Sequence, residues 1–163
     1  MNNPTAGIRI LIINGVNLSQ LGTREVNIYG HISFEDYLAQ LRTEFPDIQI
    51  DYFQSDAVGE LCSAISTSGQ YDAVVLNAGA YTHTSLALAD AVRSTTIPVI
   101  EVHISNLFGR ERYRRHSELA AHCAGFICGF GLDSYRLAIE SVLHKKIKPL
   151  KLQGTHIVFA SVF

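Results

Sequence analysis

Apolar positions along this chain follow two alternating rhythms. Ile8 to Asn14 (I-R-I-L-I-I-N) is a near-continuous apolar run, the pattern of a strand covered on both faces. Beyond it the spacing lengthens. Phe34, Tyr37, Leu38, Leu41 and Phe45 recur at helical intervals behind Ser33, which opens an S-x-x-D capping box. Pro46 ends that helix, and Ile48 to Gln54 reads as a second strand. Gly59 to Ser68 predicts a helix with Leu61, Cys62 and Ile65 on one face, and Ala73 to Asn77 a third strand. Ser85 to Ser94 predicts a helix that turns Leu88, Ala89 and Val92 inward. Pro98 to Ile104 and Ala124 to Phe130 supply the fourth and fifth strands. Ser134 to His144 closes the pattern, with Tyr135, Ala138, Ile139 and Val142 on a common face.

Strands alternating with helices imply an α/β fold, because right-handed crossovers lay helices on both faces of a parallel sheet. Five such units in this length predict a flavodoxin-like, doubly wound, three-layer architecture with a five-stranded parallel sheet. Residues 1–146 are expected to form one domain and residues 147–163 a C-terminal extension. Folds of this kind bind ligands outside the carboxyl ends of the strands, where the strand order switches. Asn14, Gln54, Asn77 and His103 each stand as a polar residue after an apolar run at such an end. Chemistry is therefore expected along one edge of the sheet.

Composition narrows the function classes. With 163 residues, 47% hydrophobic and 17% charged, the chain can bury a sizeable core and disorder is excluded. A net charge of −2 lacks the basic excess of a general nucleic-acid binder, although Arg110 to Arg115 forms a local basic cluster. No apolar run approaches the roughly 20 residues of a membrane helix, and Met1 to Gly7 has no signal-peptide character. Cys62, Cys123 and Cys128 are odd in number and sit in apolar stretches, which suits a reduced, cytoplasmic protein with buried thiols. A zinc site from His122, Cys123 and Cys128 is the alternative, but it lacks a CxxC pair or a second ligand cluster.

The loop from Gly15 to Ile32 is long for a compact domain and carries Asn17, Arg24, Glu25 and Tyr29 between the potential hinges Gly22 and Gly30. It reads either as a lid over the cleft or as a solvated excursion. After the third strand, Gly79 precedes Tyr81, Thr82, His83, Thr84 and Ser85, where a helix N-terminus offers N–H groups to an anion. Alternation puts Glu101 and His103 on one side of the fourth strand, so the carboxylate can orient the ring; a purely structural histidine is the other reading. Arg110 and Arg114 follow, with Arg112 and Arg115 assigned to a solvated face. Every lysine (Lys145, Lys146, Lys148 and Lys151) lies at or beyond the end of the last predicted helix. Schiff-base chemistry is thus left without a lysine at the strand ends. Metal chemistry lacks ligand spacing, which leaves acid–base chemistry by tyrosine, histidine and arginine.

Six ordered segments carry a resemblance: L-G-T-R-E-x-x-I-Y-G, F-Q-S, G-E-L, N-A-G-A-Y-T-H-T-S, P-V-I-E-V-H-I-S-N and R-H-S, spread over Ile8 to Leu143. In them the chain resembles the type II 3-dehydroquinate dehydratases. The resemblance implies a flavodoxin-like lyase that converts 3-dehydroquinate to 3-dehydroshikimate through an enolate, without cofactor or metal. It implies Tyr29 as a tyrosinate base held by Arg24, Asn17 as holder of a water at the enolate oxygen, and His103 as the acid oriented by Glu101. Asn77 with the Ile104 and Ser105 amides would take the substrate carboxylate, near the Gly79 turn. His83 and Arg114 would take ring hydroxyls, and Arg110 would brace the lid. Asp90 would reach a neighbouring subunit's site in a dodecamer built from trimers.

The chain also departs from that pattern. Val16 stands for a usual proline, Ser19 and Gln20 alter the next turn, and Asp56 stands for a usual asparagine. Glu118 and His122 replace an expected tyrosine and proline. Loss of proline at Val16 is expected to free the backbone that positions Asn17. His156 to Phe163 (H-I-V-F-A-S-V-F) is apolar and uncharged and would be an aggregation hazard if exposed. It is expected to pack on a neighbouring subunit, with disorder or a non-native chain end as the alternatives. Two other functions fit the fold: a flavin or phosphoacceptor protein, and a catalytically silent scaffold.

Overall fold

A computed structural model describes residues 7–21 and 32–144. The strands β1 (Ile8–Asn14), β2 (Ile48–Gln54), β3 (Ala73–Asn77), β4 (Val99–His103) and β5 (Gly125–Cys128) form one parallel sheet in the order β2-β1-β3-β4-β5. This is the flavodoxin-like order expected above. Helices α1 (Phe34–Glu44), α2 (Val58–Ser66), α3 (Leu86–Ser94) and α4 (Asp133–His144) lie in the crossovers and after the last strand.

The near-continuous apolar runs reflect a sheet that is covered twice. In β1, Ile10 and Ile12 pack with Phe34, Leu41 and Tyr135 of α1 and α4, whereas Leu11 and Ile13 pack with Leu61, Ile65 and Leu88 of α2 and α3. β3 divides in the same way, with Ala73 and Val75 on one face and Val74 and Leu76 on the other. Each fully buried Leu or Ile contributes about 1.5–3 kcal/mol of transfer free energy, so the two layers together hold the sheet rigid under the site. On β4, Ile100 and Val102 belong to the α1–α4 core. Glu101, fully buried, takes a position on the opposite, α2–α3 face that β1 and β3 fill with aliphatic side chains.

β1, β2 and β3 begin and end where their patterns predict. Elsewhere the ends shift. β5 stops at Cys128 rather than Phe130 because Gly129 takes φ +93° and turns the chain away, leaving Phe130 exposed. β4 begins at Val99: Pro98 has no N–H to donate, and only its carbonyl joins the ladder, accepting from Val74. α2 runs Val58–Ser66 rather than Gly59 to Ser68, since the Thr67 and Ser68 hydroxyls donate to the Ser63 and Ile65 carbonyls and end it in a 3-10 turn. Ser85 is the N-cap of α3, not its first residue, and α4 begins one residue early, at Asp133.

Ser33 caps α1 as expected, its hydroxyl oxygen accepting from the Asp36 N–H at 3.1 Å. The reciprocal half of the box differs. Asp36 accepts from the Ser33 hydroxyl at 2.8 Å. Ser33→Ala removes both contacts and is expected to cost about 1 kcal/mol, read as a fall of roughly 2–4 °C in thermal melting temperature. Melting unchanged within a degree would show that the cap contributes nothing.

Candidate active site

The strand order reverses between β1 and β3, and their carboxyl ends make the floor of a cavity of about 180 Å³. Two glycines let the loops leaving these strands touch. A Cβ on Gly15 would lie 2.4 Å from the Ala78 carbonyl oxygen, and one on Gly79, which has φ +60°, would lie 2.7 Å from the Val16 carbonyl oxygen. Gly15 N–H also donates to the Asn77 carbonyl at 2.7 Å. No other residue fits either position without moving backbone.

From this floor the cavity gathers most of the residues singled out in the sequence. Asn17, Asn77, Gly79 and His83 line one side. His103, Ile104, Ser105, Arg110 and Arg114 line the other. Gln20, one of the departing positions, also faces it, beside the apolar Leu18, Leu21 and Leu107. The formal charges among the described lining residues belong to the two arginines, and none is a carboxylate. Glu111 stands at 3.5 Å from Nε of both Arg110 and Arg114 and is exposed, so it orders the guanidinium pair without entering the cavity. Arg110 also donates to the Ser105 hydroxyl at 3.2 Å. Such a pocket favours a small anion with several oxygens.

His103 and Glu101 project to the same side of β4, as alternation predicts, and His103 Nε2 lies 2.7 Å from Glu101 Oε1. The carboxylate also accepts from the Thr82 hydroxyl and, at 2.9 Å on both oxygens, from the Ser117 hydroxyl. Burying a carboxylate is tolerable only with such a set of donors. Thr82 comes from the 3-10 turn after β3, and Ser117 follows the arginine-bearing turn. Thus two separate segments fix one carboxylate on β4, which fixes one imidazole. Since Nε2 faces Glu101, Nδ1 is the ring nitrogen that this carboxylate leaves unengaged.

His83 is tied differently. Its Nδ1 lies 2.6 Å from the His116 carbonyl, an acceptor only, so Nδ1 carries a proton. Burial holds this ring's pKa below the ordinary histidine value; the His116 bond opposes that shift, and the charges of His103 and Arg114 add to it. Neutral His83 then presents Nε2 as an acceptor, suited to a hydroxyl rather than a carboxylate.

Asn17 has a left-handed backbone, φ 67° and ψ 1°. Its N–H donates to Asp56 Oδ1 at 2.9 Å, and Gln54 Nε2 donates to the same oxygen at 3.0 Å. Asp56, another departing residue, thus holds the backbone that follows Val16. The start of α3, expected to offer N–H groups to an anion, does not line this cavity. The Ser85 hydroxyl occupies the Leu88 N–H, and neither Ser85 nor Leu88 lines the cavity. Asp90 is remote from this cavity, exposed on α3 and paired with Arg93 at 2.7 Å. Cys123 is buried as expected, whereas Cys62 and Cys128 are only partly so. Arg24, Tyr29 and residues 145–163 lie outside the described residues.

Sequence reasoning missed Thr82, Ser117, Asn14 and Tyr135 as supports. Thr82 and Ser117 stand inside motifs already noticed. Tyr135, wholly buried, donates its hydroxyl to Asn14 Oδ1 and accepts from Asn77 Nδ2, each at 2.8 Å. A tyrosine on the inner face of a helix signals such partners, because a buried hydroxyl needs them.

Comparison with known proteins agrees with this geometry. A family model described as Dehydroquinase class II matches residues 8–143. A 3-dehydroquinate dehydratase of Exiguobacterium sp. is 47% identical over 137 residues, covering 83% of this chain and 94% of that protein. One from Pelodictyon phaeoclathratiforme is 45% identical over 141 residues, covering 85% and 93%. Among solved structures, the type II dehydroquinase of Propionibacterium acnes superposes with a TM-score of 0.81 at 35% identity, covering 86% of this chain and 99% of that one. That of Butyrivibrio crossotus gives 0.79 at 41% identity, covering 85% and 98%.

Proposed function

Because the chain belongs to the class II dehydroquinase family and is an enzyme of the 3-dehydroquinate dehydratase type, we propose that its cavity dehydrates 3-dehydroquinate by anti elimination through an enolate. The product is 3-dehydroshikimate. The observation that carries this reading is the buried Glu101–His103 pair, at 2.7 Å, beside a cavity whose charged lining is arginine.

In this mechanism Tyr29, as tyrosinate, takes the C2 proton, and the C–H electron pair moves into the enolate. A tyrosine ordinarily ionises near pH ~10, and the Arg24 guanidinium favours the anion. Asn17 holds a water that donates to the enolate oxygen, so charge is met where it develops. The enolate then collapses, the C1–O bond breaks, and the hydroxyl leaves as water with a proton from His103. Glu101 keeps the imidazole turned to that oxygen. Asn77 and the Ile104 and Ser105 amides hold the substrate carboxylate. Neutral His83 and Arg114 hold ring hydroxyls, and Arg110 braces the loop that carries Tyr29. No metal or organic cofactor takes part. The enzyme works in the cytoplasm as a dodecamer of trimers, in which Asp90 completes a neighbour's site.

Two measurements on the wild-type protein test the reading. Conversion of 3-dehydroquinate should raise the absorbance of the conjugated enone, and enzyme treated with borohydride in the presence of substrate, then freed of both, should keep its activity. No enone at high enzyme would overturn the assignment. Inactivation by borohydride in the presence of substrate would reveal an imine to a lysine and overturn the tyrosine–histidine mechanism.

A further inference from the structure

Asn14 and Asn77 are register partners at the carboxyl ends of the two central strands, and Tyr135 of α4 bridges them from below. The hydrogens in this bridge have only one consistent arrangement. Gly79 N–H is purely a donor and lies 3.2 Å from Asn77 Oδ1, which sets the orientation of the Asn77 amide. Asn77 Nδ2 therefore donates to the Tyr135 oxygen, and the Tyr135 hydroxyl must pass its own proton to Asn14 Oδ1. Asn14 Nδ2 is left to the Tyr52 hydroxyl at 3.4 Å, a weak terminal contact.

Asn14, Asn77 and Tyr135 are all buried, and burial pushes the Tyr135 hydroxyl's pKa far above the ordinary tyrosine value, so the bridge stays neutral at working pH. Of the three, Asn77 is the one that lines the cavity. One Nδ2 hydrogen is spent on Tyr135, which leaves the second for a ligand. Were the amide to flip, Oδ1 would face that ligand and repel a carboxylate.

We propose that Tyr135 and Asn14 are positioning residues that hold the Asn77 amide with its free N–H toward the cavity, making the site selective for an anionic group there. The assignment rests on the reading that Asn77 binds the substrate carboxylate. Tyr135 touches no substrate; it acts by making the flipped amide unpayable in hydrogen bonds, since flipping would set Asn77 Oδ1 against the Tyr135 oxygen and Nδ2 against the Gly79 N–H.

Steady-state kinetics with 3-dehydroquinate test it, with Asn77→Ala as the benchmark. Tyr135→Phe keeps the ring and removes the hydroxyl. It is expected to raise KM about tenfold while kcat stays within about threefold, as for an interaction made equally in ground and transition states. In the Asn77→Ala background the same change is expected to add nothing to KM, which general loosening of the core would not reproduce. An unchanged KM in Tyr135→Phe, or an equal rise on the Asn77→Ala background, overturns the proposal. Should Tyr135→Phe fail to fold, Asn14→Ala serves instead. The Tyr135 hydroxyl, having lost its acceptor, then draws Asn77 Oδ1 toward it, and KM should again rise with kcat held; a constant KM overturns the idea. If Asn77→Ala itself leaves KM unchanged, the carboxylate assignment fails, a result distinct from failure of the Tyr135 variant alone.

Discussion

His103→Ala is expected to lower kcat by about 10²–10⁴, the usual worth of a positioned general acid, with KM within a few-fold of the wild type. The departing hydroxyl is poor at leaving without a proton, and among the described residues no other ionisable side chain shares the Glu101 anchor. The carboxylate that remains keeps the Thr82 and Ser117 hydroxyls, so folding should survive and the loss should appear in turnover. Imidazole added to the buffer should restore part of the rate by entering the vacated space. Glu101→Gln is milder, because the amide oxygen still accepts from His103 Nε2 and the amide nitrogen can donate to Ser117. A His103→Ala kcat within tenfold of wild type would remove histidine from the proton transfer and leave the pair a structural one.

That prediction depends on partners the sequence reveals unevenly. Glu101 and His103 are legible because two polar residues at alternate positions interrupt an aliphatic strand, and strand geometry alone puts them on one side. Asn14 and Asn77 are legible for the same reason, as polar ends of apolar runs. The set of donors around Glu101 is not. Thr82 and Ser117 meet it only because one turn before β4 and one after it close over the end of that strand, from 19 and 16 residues away along the chain. The Tyr135–Asn14 contact spans 121 residues. Nothing in periodicity encodes a partner at that distance.

Element ends divide in the same way. The double cores make β1 and β3 readable from hydrophobicity, since both faces must be apolar until the strand leaves the sheet, and edge strand β2 is readable from the alternation of Ile48 and Ile50 with polar residues. The stop of β5 is set by a positive φ at Gly129, and the end of α2 by hydroxyls that take its carbonyls. Both are local choices that an apolar pattern does not record. The turn after β1 is the instructive case. Val16 suggested a loosened Asn17, but Asp56, arriving after the end of β2, accepts the Asn17 N–H and holds that backbone. A departure at Asp56 that looks unrelated to this turn along the chain holds the residue that follows Val16.

Gly15→Ala is expected to be the most destabilising of the glycine-to-alanine changes among the described residues. Its Cβ would stand 2.4 Å from the Ala78 oxygen and 2.7 Å from the Ala78 carbonyl carbon, both backbone atoms that no rotamer change can move aside. The β1 and β3 loops would have to part, and with them the Gly15 N–H bond to the Asn77 carbonyl. Overpacking of this kind costs about 3 kcal/mol or more when backbone must yield, equivalent to a fall of roughly 6–12 °C in melting temperature for a domain of this size. The effect on catalysis should exceed what stability explains. Separating these loops displaces Asn17 on one side and Asn77 on the other, so the folded fraction of Gly15→Ala should show a raised KM and a lowered kcat together. Gly59→Ala provides the contrast, since a Cβ there meets nothing within 4 Å and the position is helical. It should leave melting unchanged or slightly raised. Equal melting temperatures for the two variants would mean that the switch-point loops are not in contact, and the close approach on which the cavity floor depends would be lost with them.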